Sequence, residues 1–247
     1  MRLSFEGKTA LVTGSTRGIG KKIADDINEL GGHVLITGTN PEQIEVLNKN
    51  EGSASKTFLC VDFSSIESLN NLVAELDQFK KIDVLVNNAG INRLNSIDQI
   101  ELQDWNDMVS INLTAPLFLL KSLSKKMKAN GYGRIVNIAS IFSKISKECR
   151  SAYSATKSGI HGLTVGVSND LARHNILVNT VSPGFIMTDL TRKNLTPEEI
   201  DDLALQIPAK RMGKTEDISR VVAFLCSDLN SYLTGQNIIV DGGFVNV

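Results

Sequence analysis

Tyr153 stands four residues ahead of Lys157 in the stretch SAYSATKSG, residues 151–159. A phenol ordinarily keeps its proton to about pH 10. If the stretch is helical, positions four apart share a face, and an ammonium group placed there favours phenolate and draws the tyrosine pKa down. A tyrosine tuned in this way can give a proton to, or take one from, an oxygen whose charge is changing. A solvated Tyr/Lys pair on a helix surface is the plainer alternative, and the rest of the chain has to decide between the two.

A second chemical feature follows the first apolar run, where TGSTRGIG carries Gly14, Ser15, Thr16, Arg17, Gly18, Ile19 and Gly20, with a helix expected from about Ile19. Glycines there permit a tight turn and let backbone amides approach a pyrophosphate at the positive end of a helix. The triphosphate-binding pattern GxxxxGK followed by Ser or Thr does not fit, because Ser15 takes the place of its first glycine and Lys22 that of its last hydroxyl residue. Dinucleotide sites selective for an unphosphorylated ribose carry an acid about 20 residues further on. Here that place reads Ile36, Thr37, Gly38, Thr39. With the acid missing, Arg17 and the hydroxyls of Thr37 and Thr39 can receive a 2'-phosphate, so NADP(H) is the expected cofactor. Asp62, closing the run FLCVD, is placed to pair with an adenine amino group, and Asn88, Ala89 and Gly90 of NNAG let the chain pass close to a bound ribose. Ordinary turn chemistry would also account for Asp, Asn and Gly at strand ends.

These residues need a scaffold, and the chain supplies a regular one. Short aliphatic runs (TALVTG, HVLITG, TFLCVD, DVLVNNAG, RIVNIAS, ILVNTVSPG, NIIVDGG) alternate with helix-length amphipathic segments. Strands that are apolar throughout, separated by helices, predict a mainly parallel sheet covered on both faces. The expected fold is therefore α/β, a single Rossmann-type doubly wound parallel sheet of seven strands. No Pro/Gly/Ser-rich linker divides residues 1–247, so one catalytic domain is expected. Loops at strand C-termini build the ligand crevice in such sheets, which makes the irregular stretch at about 184–213 a candidate substrate lid.

Composition excludes several other classes. With 42% apolar residues, 21% charged residues and a formal net charge of -1, the chain has no basic block for nucleic acid. No apolar run approaches the roughly 20 residues of a membrane span, and the start lacks the order of a secretory signal, so a soluble cytoplasmic protein is expected. Cys60, Cys149 and Cys226 are scattered and odd in number, as in a reducing compartment. His33, His161 and His174 show no metal-ligand spacing, and no metal is expected.

Taken in order, TGSTRGIG, NNAG, Ser140 in NIAS, and YSATK thirteen residues later resemble the short-chain dehydrogenases/reductases, and the resemblance covers essentially the whole chain. It implies that Tyr153 is the proton donor, that Lys157 lowers its pKa and holds the nicotinamide ribose, and that Ser140 hydrogen-bonds the substrate oxygen. It further implies that Asn112 kinks a helix and anchors a water, although an asparagine there could also be a helix cap. Pro183, Gly184, Ile186 and Thr188 would lie against the nicotinamide. Within the family, the pattern is most similar to bacterial 3-oxoacyl-(acyl-carrier-protein) reductases, which implies NADPH-dependent reduction of a carrier-bound 3-oxoacyl thioester by a homotetramer. Relatives acting on a steroid, polyol or secondary-metabolite ketone, or a relative that only binds nucleotide, are the alternatives. Lys125, Lys126, Lys128 and Arg173 are available as a landing surface for an acidic carrier. The segment IFSKISKECR, residues 141–150, departs from the small and glycine-rich residues common in such reductases, and alters the shape and charge expected at the substrate mouth.

Overall fold

All seven apolar runs become strands in the computed structural model, which describes residues 3–246. They are β1 (Thr9–Val12), β2 (His33–Gly38), β3 (Lys56–Cys60), β4 (Val84–Asn87), β5 (Gly133–Ile138), β6 (Ile176–Pro183) and β7 (Asn237–Val240). Every pairing is parallel, and the strand order is β3-β2-β1-β4-β5-β6-β7. Parallel neighbours require crossover helices, and these cover both faces. The helices are α1 (Gly18–Glu29), α2 (Pro41–Asn50), α3 (Ile66–Leu76), α4 (Leu102–Val109), α5 (Ala115–Asn130), α6 (Ser151–Leu171), α7 (Asp189–Asn194), α8 (Pro197–Gln206) and α9 (Thr215–Cys226).

Side chains alternate across the sheet and so build two cores. Val12, Ile36, Val86 and Val181 face one way and pack with Ile23 and Ile27 of α1 and Ile218 and Val222 of α9. Leu11, Leu35, Leu85 and Ile135 face the other way and pack with Leu69 and Leu72 of α3 and Leu119 and Leu123 of α5. Local signals place the helix starts: Asn40 caps α2 ahead of Pro41, Ser65 caps α3, and Thr196 with Glu199 forms a reciprocal capping box on α8.

The strand order reverses direction between β1 and β4, which are neighbours in the sheet. The loops leaving their C-terminal ends must therefore diverge, and the gap between them is the crevice of a doubly wound sheet. That gap brings TGSTRGIG and NNAG together from distant parts of the chain. Residues 184–213 leave β6 at the same edge and contain α7 and α8. Their two ends are pinned by Met187 N–H to Gly213 C=O (2.8 Å) and Gly213 N–H to Phe185 C=O (2.9 Å).

Helix direction corrects one expectation. Because α5 leads into β5 and α6 leads towards β6, the C-terminal ends of both helices lie at the N-terminal edge of the sheet, opposite the crevice. Lys125, Lys126, Lys128 and Arg173 are therefore not beside the substrate mouth of their own chain. Lys126 is in addition committed locally, donating to the Leu76 carbonyl at 2.7 Å and pairing with Asp77 at 3.1 Å.

A buried polar chain ties the centre of the sheet to α6. Asn87 Nδ2 donates to Asn137 Oδ1 (2.7 Å), Asn137 Nδ2 to Thr164 Oγ1 (2.8 Å), and Thr180 Oγ1 to Thr164 Oγ1 (2.9 Å). Asn137, Thr164 and Thr180 are fully buried. Thr164→Val keeps the volume but strands two buried donors, at about 1–3 kcal/mol. The variant is expected to melt several degrees below wild type in a thermal scan; an unchanged melting temperature would mean that the network adds nothing to stability.

Candidate active site

The first turns of α6 carry Tyr153 and Lys157, and Ser140 follows the end of β5. Lys157 is buried, and its Nζ donates to the Ile138 carbonyl at 2.9 Å while standing 5.7 Å from the centre of the Tyr153 ring. Ser140 is 8% exposed, and its Oγ accepts from the Phe142 N–H at 3.2 Å. This bond ties the start of α6 to the strand end beside Ser140.

Asn112 is buried in a π turn, Ser110–Thr114, that joins α4 to α5. The wider turn displaces the helix locally, and the Asn112 amide fills the resulting space as a clamp. Its Oδ1 accepts from the Ile91 N–H (2.9 Å), while its Nδ2 donates to the Ile91 carbonyl (2.9 Å) and to Thr156 Oγ1 (3.1 Å). The clamp fixes the NNAG loop. A Cβ on Gly90 would stand 3.3 Å from both Asn112 Oδ1 and Lys157 Nζ, so the glycine lets the loop lie between them.

The electrostatics correct the reading of the Tyr153/Lys157 spacing. Tyr153 is half-buried, and desolvation pushes the phenol pKa above its ordinary value. Ser140, as a hydrogen-bonding neighbour, and Arg150, through its charge, pull the other way. The charge of Lys157, 5.7 Å from the ring centre, does not outweigh burial, so the net shift is upward and not the expected lowering. Burial acts on the lysine too, drawing its own pKa down to about 8, because an environment of low polarity disfavours charge on either group. Near neutral pH the phenol holds its proton and the lysine is mostly charged.

Around the glycine loop, several hydroxyls expected to touch a ligand instead hold the frame. Thr37 is fully buried and its Oγ1 accepts from the Gly14 N–H at 2.9 Å, so it supports the loop and is shielded from a 2'-phosphate. Ser15 Oγ is likewise buried, donating to the Val12 carbonyl at 2.6 Å and accepting from the Thr37 N–H at 3.2 Å. Gly14 has φ +59°, and a Cβ there would come within 2.9 Å of Ala89 Cα, so the turn and the close approach of the two loops both require glycine. Thr16 is half-buried beside Gly38, Ile19 packs against the core, and Gly20 lies beneath the Asn88 side chain.

Asn88 ties the loops together, its Nδ2 donating to the carbonyls of Thr13 (2.9 Å) and Gly14 (3.0 Å). Thr13, which motif spacing does not single out, accepts at Oγ1 from the N–H groups of Asn88 (2.9 Å) and Ala89 (3.0 Å). Its signal was a hydroxyl at the end of an otherwise aliphatic strand. Asp62 is exposed and forms a turn, its Oδ1 accepting from the N–H (2.9 Å) and hydroxyl (2.7 Å) of Ser64.

On the far side of the crevice, Pro183 ends β6 and the Gly184 N–H donates to the Val240 carbonyl at 2.9 Å. Ile186 points into the core, leaving only its backbone towards the crevice. Thr188 caps α7, and its Cγ2 lies 3.9 Å from the Cβ position of Gly18, so the start of the 184–213 segment meets the glycine loop. Phe142, another residue outside the sequence motifs, stands edge-on to Tyr153 (6.2 Å between ring centres) and to Phe185 (6.5 Å).

The donor set fits a dinucleotide. The first turn of α1 has neither a capping side chain nor an acidic residue, which leaves its N–H groups and its positive end open to an anion. Arg17 is exposed at the head of that turn and makes no ion pair among the described residues, as a 2'-phosphate ligand should be.

A family model described as enoyl-(acyl carrier protein) reductase matches residues 14–245. The 3-oxoacyl-(acyl-carrier-protein) reductase FabG of Aquifex aeolicus is 39% identical over 247 residues, covering 98% of this chain and 99% of that one. The FabG of Escherichia coli is 37% identical over 248 residues, covering 99% and 100%. A solved gluconate 5-dehydrogenase from Burkholderia cenocepacia, in complex with NADP and tartrate, superposes with a TM-score of 0.91 at 31% identity, covering 100% of this chain and 98% of that one. A putative NAD(P)-dependent gluconate 5-dehydrogenase from Beutenbergia cavernae with bound NADP gives 0.91 at 35% identity, covering 99% of each.

The lowered pKa of Lys157 has a measurable sign. Between about pH 8, where the folded lysine loses its proton, and the ordinary value near 10.4, the unfolded chain binds the extra proton and stability rises with pH. Thermal melts from pH 7.5 to 9.5, below the range in which the phenol ionises, should show wild type gaining on Lys157→Met as pH rises. A constant difference between the two proteins would mean that burial does not depress the lysine.

Proposed function

The chain belongs to the short-chain dehydrogenase/reductase family, and on that premise we propose that it uses NADPH to reduce the 3-oxo group of an acyl chain held as a thioester on acyl-carrier protein. The chemistry is carried by one observation: Ser140, Tyr153 and Lys157 converge at the C-terminal edge of the sheet, beside the glycine loop. The choice of substrate is supported by the full-length similarity to the FabG reductases.

When bound, NADPH supplies the hydride. The open amides of Gly18, Ile19 and Gly20 would hold its pyrophosphate, Arg17 its 2'-phosphate and Asp62 its adenine, with Lys157 and the Gly90 backbone against the nicotinamide ribose and Ile186 and Thr188 near the carboxamide. Ser140 orients the ketone by donating to its oxygen, and Tyr153 delivers a proton to that oxygen as alkoxide charge develops. Burial keeps the phenol protonated, which suits a donor in the reductive direction. The charged Lys157 then stabilises the phenolate that remains.

The stretch 184–213 serves as the substrate lid in this reading, since its base meets both the glycine loop and the aromatic wall beside Tyr153. A homotetramer is supported by two exposed apolar regions, Leu117 and Val165 on α5 and α6, and Phe224 and Tyr232 near α9 and β7. No helix among the described residues is long and apolar enough to cross a membrane, and we place the reaction in the cytoplasm. Oxidation of a polyol acid is the second reading, favoured by the gluconate dehydrogenases among the solved structures and by the cation of Arg150 at the mouth.

Purified protein is expected to oxidise NADPH with an acetoacetyl thioester, and Tyr153→Phe to lower kcat by roughly 10²- to 10⁴-fold while NADPH affinity changes little. Retained turnover would remove Tyr153 as the donor, and an inert thioester beside rapid oxidation of polyol acids would sink the substrate assignment. Arg17→Ala is expected to weaken NADPH about 10-fold or more relative to NADH; equal losses for the two coenzymes would rule out a 2'-phosphate contact.

A further inference from the structure

Arg150 directly precedes α6, three positions before Tyr153, and its charge reaches the phenol. Its guanidinium carbon lies 5.2 Å from the centre of the Phe142 ring, and Phe142 is the ring set edge-on to Tyr153. The Nε–H of Arg150 is sealed from solvent and has no hydrogen-bond partner. Among the described residues no carboxylate pairs with this guanidinium, the ion-paired arginines being Arg93 and Arg211. Glu148, two residues away, is exposed and takes no part in an ion pair.

A guanidinium has two kinds of surface. Its flat face stacks on an aromatic ring, and its edge presents a fork of N–H donors. Here the guanidinium lies over the Phe142 ring, and its Nε–H has no acceptor among the described residues. A buried donor left unsatisfied carries the full cost of its lost hydration, so a small turn of the side chain that brings this donor to an acceptor arriving with a ligand recovers that cost. That acceptor must be planar and compact, because Phe142 and Phe185 form an apolar wall beside it. A carboxyl oxygen meets these conditions, and a 3-oxoacyl group carries one two carbons from its ketone.

We propose that Arg150 is a specificity-determining residue that receives an acyl oxygen of the substrate, thioester carbonyl or free carboxylate, next to the ketone that Tyr153 protonates. The inference rests on Tyr153 as the proton donor but not on the identity of the acyl carrier. It also accounts for a charged residue in a segment where small residues would have left the mouth more open: the charge selects ketones that carry a second oxygen function.

The test is a ratio of kcat/KM values, measured with NADPH for wild type, Arg150→Met and Arg150→Lys. Three ketones are compared: an acetoacetyl thioester, free acetoacetate, and 2-pentanone, which has no acyl oxygen. For at least one acyl compound, the ratio to 2-pentanone should fall about 10- to 100-fold in Arg150→Met and less in Arg150→Lys, which keeps charge but loses the fork. A fall with the thioester alone identifies the carbonyl as the acceptor, and a fall with acetoacetate alone identifies the carboxylate. Purely structural damage would lower all three rates together, and an unchanged ratio for both acyl compounds overturns the proposal. Calorimetric titration of the NADP-loaded protein with 3-hydroxybutyrate and with a 3-hydroxybutyryl thioester decides the case in which turnover is too slow to measure. Equal affinities in wild type and Arg150→Met for both then count against the proposal. An inert thioester with Arg150-dependent acetoacetate reduction would end the carrier-protein reading and leave Arg150 in place; rapid thioester reduction with neither acyl ratio dependent on Arg150 would do the reverse.

Discussion

Lys157 holds an ammonium group in the protein interior against one carbonyl, that of Ile138 at the end of β5. A buried charge with so little compensation is unfavourable, which is why the lysine pKa falls to about 8. The contact nevertheless locks α6 to the strand that precedes Ser140, and so fixes Tyr153 relative to the serine. Asn112 approaches the same point from the π turn, and Gly90 passes between them because it has no side chain. Helix, strand end and loop thus meet around one cation, and the donor geometry of the site follows from where that cation is held.

Elsewhere in the crevice, polar side chains and backbone divide the work differently. Thr13, Ser15, Thr37 and Asn88 spend their hydrogen-bonding capacity on each other's loops. What remains free is the backbone at the start of α1 and the exposed Arg17. Such a division suits recognition of a phosphorylated ligand. Amides held rigidly by a buried network lose little freedom when an anion arrives, whereas flexible hydroxyl side chains would have to be ordered at that moment.

The parts legible in the sequence are those written locally. Aliphatic runs of strand length, the glycine spacing and the Tyr-x-x-x-Lys interval are short-range patterns, and each reappears at its expected place. Depth is not local. Nothing near Thr37 in sequence reveals that its hydroxyl points into the loop, or that desolvation of the buried Lys157 and half-buried Tyr153 outweighs their proximity. Direction along a crossover helix is similarly invisible in composition, so Lys125, Lys128 and Arg173 could be counted as basic residues but not assigned to an edge of the sheet. The helix kink at Asn112 is implied by the family resemblance and takes the form of a π turn, which periodicity does not reveal, because an extra residue in a helical turn leaves the apolar pattern on either side nearly intact.

Substrate choice is a separate layer on this frame. Proteins named for a thioester ketone and for a polyol acid share most of this chain's length, and those of known structure share its fold closely, so the sheet cannot be what discriminates between their substrates. On the proposed reading, discrimination lies in the side chains beside the reaction centre, those of residues 141–150 and of the proposed lid at 184–213. Both reach Tyr153 through aromatic contacts: Phe142 from the first segment touches Tyr153 and, on its other side, Phe185 at the base of the second, and Phe185 in turn meets Phe244 near the C-terminus at 5.0 Å. A change of substrate group against this wall is therefore felt by the lid and by the phenol together, while the buried contact between Lys157 and Ile138 keeps the proton donor in register.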